Sequence, residues 1–563
     1  MNASIMNQHS LQRITLITAL QAALSLAWAQ TPPPPPTGNV QQGIEQSIQQ
    51  LPKAKAKPLA NIDVLGLEKS ESIDRLSGLE IQSPFLQDEI QKYWATSLGK
   101  RVSAEELQNF NGWLFNESRR LGFLSYAQTE VKKSDSGSIL VVKIFRPKIN
   151  AVRVIANNAA LLQRYGALIT QRFEQDFKSN MPVDTLGLDQ RLDSASYDLP
   201  IELDATIRAV GPELIDLIVS INQAPTRLGK VLDSVVQLNT YGLKQYGVPQ
   251  VMGSLVVGGH EPKAFLSLVA QKSQGIQYGR AEYESALEGT QTRWRIWGAG
   301  SNSRNILGGQ ATNLGYSGEL GAGITRIHGG FRDFVFKQHV ELSARRGHSI
   351  LESTGQQTSQ VHDNQFRLRI TADNEKLTRD ASRAEFTYTL GSYSHLYNQL
   401  QMETGPYAKL ELNLRDQKSW NQQGSIYSLF KFKGQLTSAR LDSYNQMSLG
   451  GIGGVRAYTS VDGTGDDGMV GSLELNRRLN NGMVVGGFYD AGLIKLKNPA
   501  LGTEALKSYY LQALGVQLSG SYQRAAYSLT LSKGLGGYST WTSYNIESTP
   551  NNWRLVGALT YLF

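Results

Sequence analysis

From residue 224 onward the chain alternates apolar and polar side chains with a period of two. Over 383–390, Ala384, Phe386, Tyr388 and Leu390 share one face and Arg383, Glu385, Thr387 and Thr389 the other. Leu410, Leu412 and Leu414 oppose Lys409, Glu411, Asn413 and Arg415. The last stretch puts Trp553, Leu555, Gly557, Leu559, Tyr561 and Phe563 on one face. Successive side chains of a strand point to opposite faces, so these segments read as strands. A soluble antiparallel sandwich also alternates, but strands this polar leave little core for the 340 residues of 224–563. A membrane β-barrel uses the same pattern in full, with the apolar face to lipid and the polar face to a wet lumen. Lipid offers no partner to a free strand edge, so the sheet has to close. About sixteen antiparallel strands, at roughly 21 residues each with turns, fill the segment.

Composition supports this division. Of 55 glycines and 24 tyrosines, 44 and 20 lie in 224–563, where glycine serves turns and tyrosine suits the two membrane interfaces. Mean hydropathy is −0.30 and no apolar window of about 18 residues follows the N-terminal segment, which excludes a polytopic helical membrane protein. The chain has no cysteine, which excludes disulfides, thiolate metal sites and a cysteine nucleophile. The net charge of +8 is diffuse, without a basic tract interleaved with aromatics, so nucleic acid is not an expected partner.

Residues 1–29 read as a signal peptide: Arg13, an apolar stretch from Ile14 to Leu26, then Ala27-Trp28-Ala29 as the cleavage site. Residues 30–58 hold a proline run (Pro32–Pro36), a polar segment Asn39–Leu51 and a lysine-rich linker. Val40, Ile44, Ile48 and Leu51 make one narrow apolar stripe on that segment if it is helical, and the alternative is a disordered tail. Residues 59–148 and 149–223 each read as strand, two helices and a hairpin, beginning at Asn61–Leu65 and at Ala151–Ile155. Ser103 and Glu106 form a capping box at the second helix of the first unit.

The segment that carries chemistry follows Gly450. Val455-Arg456-Ala457-Tyr458 sits in a glycine-rich loop, followed by Gly465-Asp466-Asp467-Gly468 and a strand that contains Glu474. A later strand reads Phe488-Tyr489-Asp490-Ala491-Gly492. Strand parity turns Glu474, Phe488 and Asp490 to the lumen. Arg456 offers a planar fork for a carboxylate, with Asp490 as the best-placed partner and Glu474 as a second. Ala457 demands that the backbone there avoid positive φ or accept strain. The glycines lack the P-loop pattern, and Asp462, Asp466 and Asp467 miss the calcium-loop frame, because Leu473 falls where a glutamate is required. No metal, cofactor or catalytic constellation is expected.

The order of two small α+β units, barrel, Val455–Tyr458 loop and Phe488–Gly492 strand resembles the TpsB family, the outer-membrane translocators of two-partner secretion, in the superfamily that includes BamA. The match departs from the family's V-R-G-Y only at Ala457. The resemblance implies POTRA-like domains at 59–148 and 149–223 and a plug-like helix within 30–58. It implies Arg456 of the loop fastened to Asp490 of the barrel wall. It also implies a monomeric, non-enzymatic pore in a Gram-negative outer membrane, with its POTRA-like domains in the periplasm. Such a pore exports one dedicated β-rich partner of the TpsA type, an adhesin or haemolysin. A BamA-type insertase and, less well, a passive porin are the alternatives.

Overall fold

The computed structural model describes residues 60–63, 72–83, 85–120, 123–134, 137–174, 177–183, 185–211, 213–307, 313–331, 334–374, 380–398, 404–421, 424–497, 508–535, 547 and 551–563. The expected signal peptide and plug-like helix lie outside the described residues.

Among the described residues the N-terminal part holds strands β1 (Ala60–Asp63) to β7 and four helices. The first sheet contains β2 (Leu76–Gln82), β3 (Tyr126–Ser134) and β4 (Gly137–Phe145), in the order β2-β4-β3. Helices α1 (Gln87–Trp94) and α2 (Ala104–Arg120) cover it and bury Trp94, Phe110 and Leu114 against Leu76 and Leu140. The capping box is reciprocal: Glu106 N–H donates to Ser103 Oγ at 3.2 Å, and Ser103 N–H to Glu106 Oε2 at 2.7 Å. The second sheet is built from β5 (Lys148–Ala156), β6 (Ile201–Gly211) and β7 (Leu214–Gln223), under α3 (Ala159–Glu174) and α4 (Thr185–Ala195).

One strand lies elsewhere than its sequence position suggests. β1 belongs to the second sheet, whose order is β1-β6-β7-β5, and pairs parallel with β6. The first unit's own opening strand is β2, where a register irregularity between Leu76 and Gly78 breaks the alternation that would announce it.

The remaining strands form β8 (Val231–Asn239), β9 (Gln250–Gly258), β10 (Phe265–Lys272), β11 (Ile276–Leu287), β12 (Thr292–Arg304), β13 (Asn313–Phe331), β14 (Phe334–Leu351), β15 (Gln357–Asp373), β16 (Ala381–Asn398), β17 (Gly405–Ser419) and β18 (Ile426–Thr437). Two short strands, β19 (Met447–Ser448) and β20 (Thr464–Gly465), precede β21 (Asp467–Arg478), β22 (Val484–Lys495), β23 (Ser508–Tyr522), β24 (Ala525–Leu535) and β25 (Trp553–Leu562). Sixteen of these, β8–β18 and β21–β25, close into one antiparallel barrel. The closing seam, β25 on β8, has five register pairs, whereas β24–β25 has nine.

The wall is apolar outside and polar inside, the pattern of a barrel solvated by lipid. Leu410, Leu473 and Leu475 are exposed on the outer face, while Lys409, Glu474 and Asn476 are buried on the inner one. No described helix is long and apolar enough to cross a membrane.

The second unit docks on one rim of the barrel through charged groups. Buried Asp198 takes two bonds from Arg172, at 2.7 and 3.2 Å, and a third from the backbone N–H of Gln291 in the β11–β12 turn, at 2.7 Å. Arg293 of β12 donates to the carbonyls of Tyr197 and Lys263, at 3.1 and 2.6 Å. Gln291 and Lys263 both hold positive φ, 56° and 61°, a costly conformation for non-glycine residues that the docked unit helps to fix.

Candidate functional site

Between β18 and β21 the chain folds back into the barrel as a long loop, 438–466. β19 and β20 pair to make its stem, with Met447 opposite Gly465. Beyond the stem the turn is so tight that side chains are excluded. A Cβ at Gly450 would stand 2.0 Å from the Thr459 carbonyl, and one at Gly454 2.1 Å from that of Leu449. The glycines therefore serve close backbone approach, not phosphate. Ala457 is absent from the positive-φ residues, so the departure from glycine introduces no backbone strain. Val455 and Tyr458 are fully buried, packed with Leu449, Ile494 and Leu511.

This packing presents Arg456 to the wall. Its Nε and Nη2 donate to the two oxygens of Asp490, at 2.9 and 2.7 Å, and its backbone N–H adds a third bond at 3.1 Å. Nη1 reaches Glu474 Oε1 at 2.9 Å and Gln517 Oε1 at 3.0 Å, and Nη2 reaches Ser472 at 2.9 Å. The guanidinium carbon lies 3.4 Å from the centroid of the Phe488 ring, a stacked cation–π arrangement. Phe488 itself fits because position 515 is glycine: a Cβ there would stand 2.3 Å from the ring. Asp490 is wholly buried, so this is a desolvated, bidentate ion pair, strong to break. Gly492, at the end of the same motif, lets Leu449 of the loop approach; a Cβ would meet its Cδ2 at 2.9 Å.

The aspartates after the loop are occupied by backbone. Asp462 accepts from Thr459 N–H at 2.8 Å, Asp466 from Leu441 and Lys497 N–H at 2.8 Å each, and Asp467 from Thr437 N–H at 2.8 Å. Burial pushes the Asp466 carboxyl above the usual range. Among the described residues no group of three or more His, Asp or Glu is placed to hold a metal ion.

Sequence reasoning missed a second set of contacts at the loop's root. Asp442 Oδ2 accepts from Arg345 of β14 at 2.8 Å, and Arg345 also reaches Asp363 of β15 at 3.3 Å. Asn445 donates to Asp363 and Asp442, and Gln365 and Tyr407 add bonds to Asp363. All are buried. Parity alone places every second wall residue in the lumen, so it could not single out Arg345 or Asp363. Arg554 of β25 was missed as well: it donates to the carbonyls of Arg456 and Tyr458, bracing the loop tip against the last strand.

Neither family models nor curated proteins match the sequence. Solved structures do. The chain is similar to CdiB from Escherichia coli, at 15% identity and a TM-score of 0.53 over 97% of this chain and 98% of that one. It is similar to CdiB from Acinetobacter baumannii at 15% identity and a TM-score of 0.53, over 93% and 97%. The chain folds as a closed sixteen-stranded barrel behind two α+β units, the fold its alternating strands predicted, and it shares that overall fold with CdiB.

Proposed function

We propose that this chain is a TpsB-type outer-membrane translocator that exports one dedicated β-rich protein from the periplasm without nucleotide. The observation that carries this reading is the Arg456 loop. A closed, polar-lined barrel is crossed by a loop pinned inside it by a buried arginine that pairs with two carboxylates, Asp490 at 2.7 and 2.9 Å and Glu474 at 2.9 Å, and touches three neutral side chains, Gln517, Ser472 and Phe488. Such a strap holds the lumen in one defined state, which an export pore needs until a partner enters. The fold shared with CdiB supports the same reading.

In this reading 59–148 and 149–223 are POTRA-like domains in the periplasm, and they receive an extended segment of the partner, an adhesin or haemolysin of TpsA type. The partner threads the lumen unfolded and folds outside, which gives direction. Residues 30–58 supply the plug. The pore works as a monomer, and its wall contacts outer-membrane lipid. The residues that set its competent state are Val455, Arg456, Ala457 and Tyr458 of the loop, with Glu474, Phe488, Asp490 and Gly492 of the wall.

Deleting the gene in its host tests this. A large secreted protein should vanish from the medium while other outer-membrane barrels stay at normal level. If the barrels disappear instead, the chain is an insertase of the BamA type. That second reading has one observation in its favour, the five-pair seam between β25 and β8, where the wall has few bonds to break.

A further inference from the structure

We propose that the outer face of β9–β14 is a binding groove for an acyl chain of a phosphorylated glycolipid of the outer leaflet, whose phosphate Arg346 receives. The inference rests on the proposed placement of the two α+β units in the periplasm, which makes the opposite rim the outer one.

Arg346 is the residue that asks for a ligand. β14 turns buried Arg345 to the lumen and its neighbour Arg346 to lipid, where it is exposed. Among the described residues Arg346 has no hydrogen bond or ion pair. A charge on the lipid face of a barrel is costly unless it reaches a headgroup. The level of Arg346 fits one. On the same face of β14, Leu342 and Ala344 lie on its membrane side, and His348, stacked on Tyr316, lies toward the outer rim.

From Arg346 a groove of about 1280 Å³ crosses the outer wall as far as Phe563. Its floor is one register row. Arg346 pairs with Gly318, Gly318 with Gly300, Gly300 with Gly279, Gly279 with Ala270, and Ala270 with Gly253. The fold does not require these glycines. A Cβ at Gly279 would meet nothing within 4 Å, and those at Gly253, Gly300 and Gly318 would stand 3.9, 3.7 and 3.9 Å from the nearest atom. None of the four holds positive φ. Glycine inside a strand weakens it, and here the missing side chains leave an open trough. Elsewhere the outer wall carries bulk, as at Phe366, Leu390 and Leu410.

Length, slope and polarity suit a lipid chain. The small residues span four strand spacings of about 4.8 Å, roughly 19 Å. The row continues through Val236 to Tyr561, next to the end of β25 on the side of the α+β units. It therefore descends into the membrane from Arg346. The row above it holds Lys272, Gln277 and Asn302, all exposed, which offer hydrogen bonds to a sugar headgroup. The row below holds Leu255, Leu268 and Leu320, which face the chain.

The full-length protein in detergent tests this with lipid A as the probe. Arg346→Gln should weaken binding at least tenfold, and Gly279→Leu/Gly300→Leu, which fills the trough, should do the same. Both barrels should keep their resistance to heating. If the filled wall does not fold, Arg346→Gln alone decides. Wild-type affinity in a folded variant overturns the inference, and so does equal binding of lipid A stripped of phosphate, or of inorganic phosphate alone. A wild-type dimer that the filled trough dissolves overturns it too, because the groove then seats a second copy. Orientation is read separately. In the cysteine-free chain, Leu307→Cys in the β12–β13 connection should react with an impermeant thiol reagent on whole cells. No reaction removes the outer-leaflet placement and the inference with it. Reaction without lipid binding leaves that placement standing and overturns the groove.

Discussion

Arg345 and Asp442 meet 2.8 Å apart, joining the root of the loop to a wall strand that five others separate from the one its tip grips. Arg345 stands on β14; Asp490, which holds the tip, stands on β22; β15–β18 and β21 lie between them. The loop is thus fixed to two distant parts of the wall. Its position in the lumen follows from both fixtures.

Breaking the tip fixture should free the loop but spare the barrel. Arg456→Ala leaves Asp490 buried without its partner, and removing one member of a buried pair costs about 3–5 kcal/mol. Export should be abolished while resistance of the barrel to heating in detergent survives, as read by gel mobility. Arg456→Lys should rescue little, because a lysine cannot make the two-pronged bond. Normal export by either variant would remove the loop from the mechanism.

The root fixture gives a graded counterpart. Asp442→Asn keeps the shape but removes the charge that faces Arg345, which Asp363 then holds alone. Protease should cut within 438–466 faster than in the wild type, with partial loss of export. Wild-type cleavage rates would show that the tip fixture suffices.

Gly515→Ala probes the support of the ion pair and not the pair itself. The added methyl would stand 2.3 Å from the Phe488 ring and 2.5 Å from the Leu531 carbonyl. The ring has to shift, and the Arg456 stacking shifts with it. Overpacking of this kind costs about 1–3 kcal/mol, so the detergent melting temperature should fall. Gly515→Ala/Phe488→Leu should recover only the part of that loss owed to the ring, not the part owed to the Leu531 carbonyl, and not the stacking.

A pH effect is expected at the rim. Burial against the second unit lowers the Lys263 ammonium from 10.5 to about 8, outweighing the nearby Asp193 and Glu202. The docked state therefore binds fewer protons than the undocked one between those values. Below about 8 the lysine is charged in both states and the burial penalty is felt in full. As pH rises through the window the penalty lifts, so docking should strengthen between pH 8 and 10. Calorimetry of the wild type should show that gain, and Lys263→Met should show a flatter profile.

Much of the barrel was legible because a lipid-facing wall must alternate at every strand, and a one-residue slip would turn Glu474 outward and Leu473 inward. The pairing of Arg456 with Asp490 was legible for the same reason, since parity left few inner-face carboxylates near the loop. The Arg345–Asp363–Asp442 cluster was not. Its members are 97 residues apart at the extremes, and nothing local to any of them differs from an ordinary lumen residue. The place of β1 was hidden in another way. A strand of four residues carries no record of which sheet it joins.

The five-pair seam bears on how the wall is made as well as how it stands. Gln237 of β8 bonds to Thr560 of β25 across 323 residues of chain. Contacts so remote in sequence form late, because every loop between them has to close first. As the barrel assembles, β8 keeps an unpaired edge until β25 reaches it. A short seam shortens that exposed edge, at the cost of a wall whose final stitch is also its smallest.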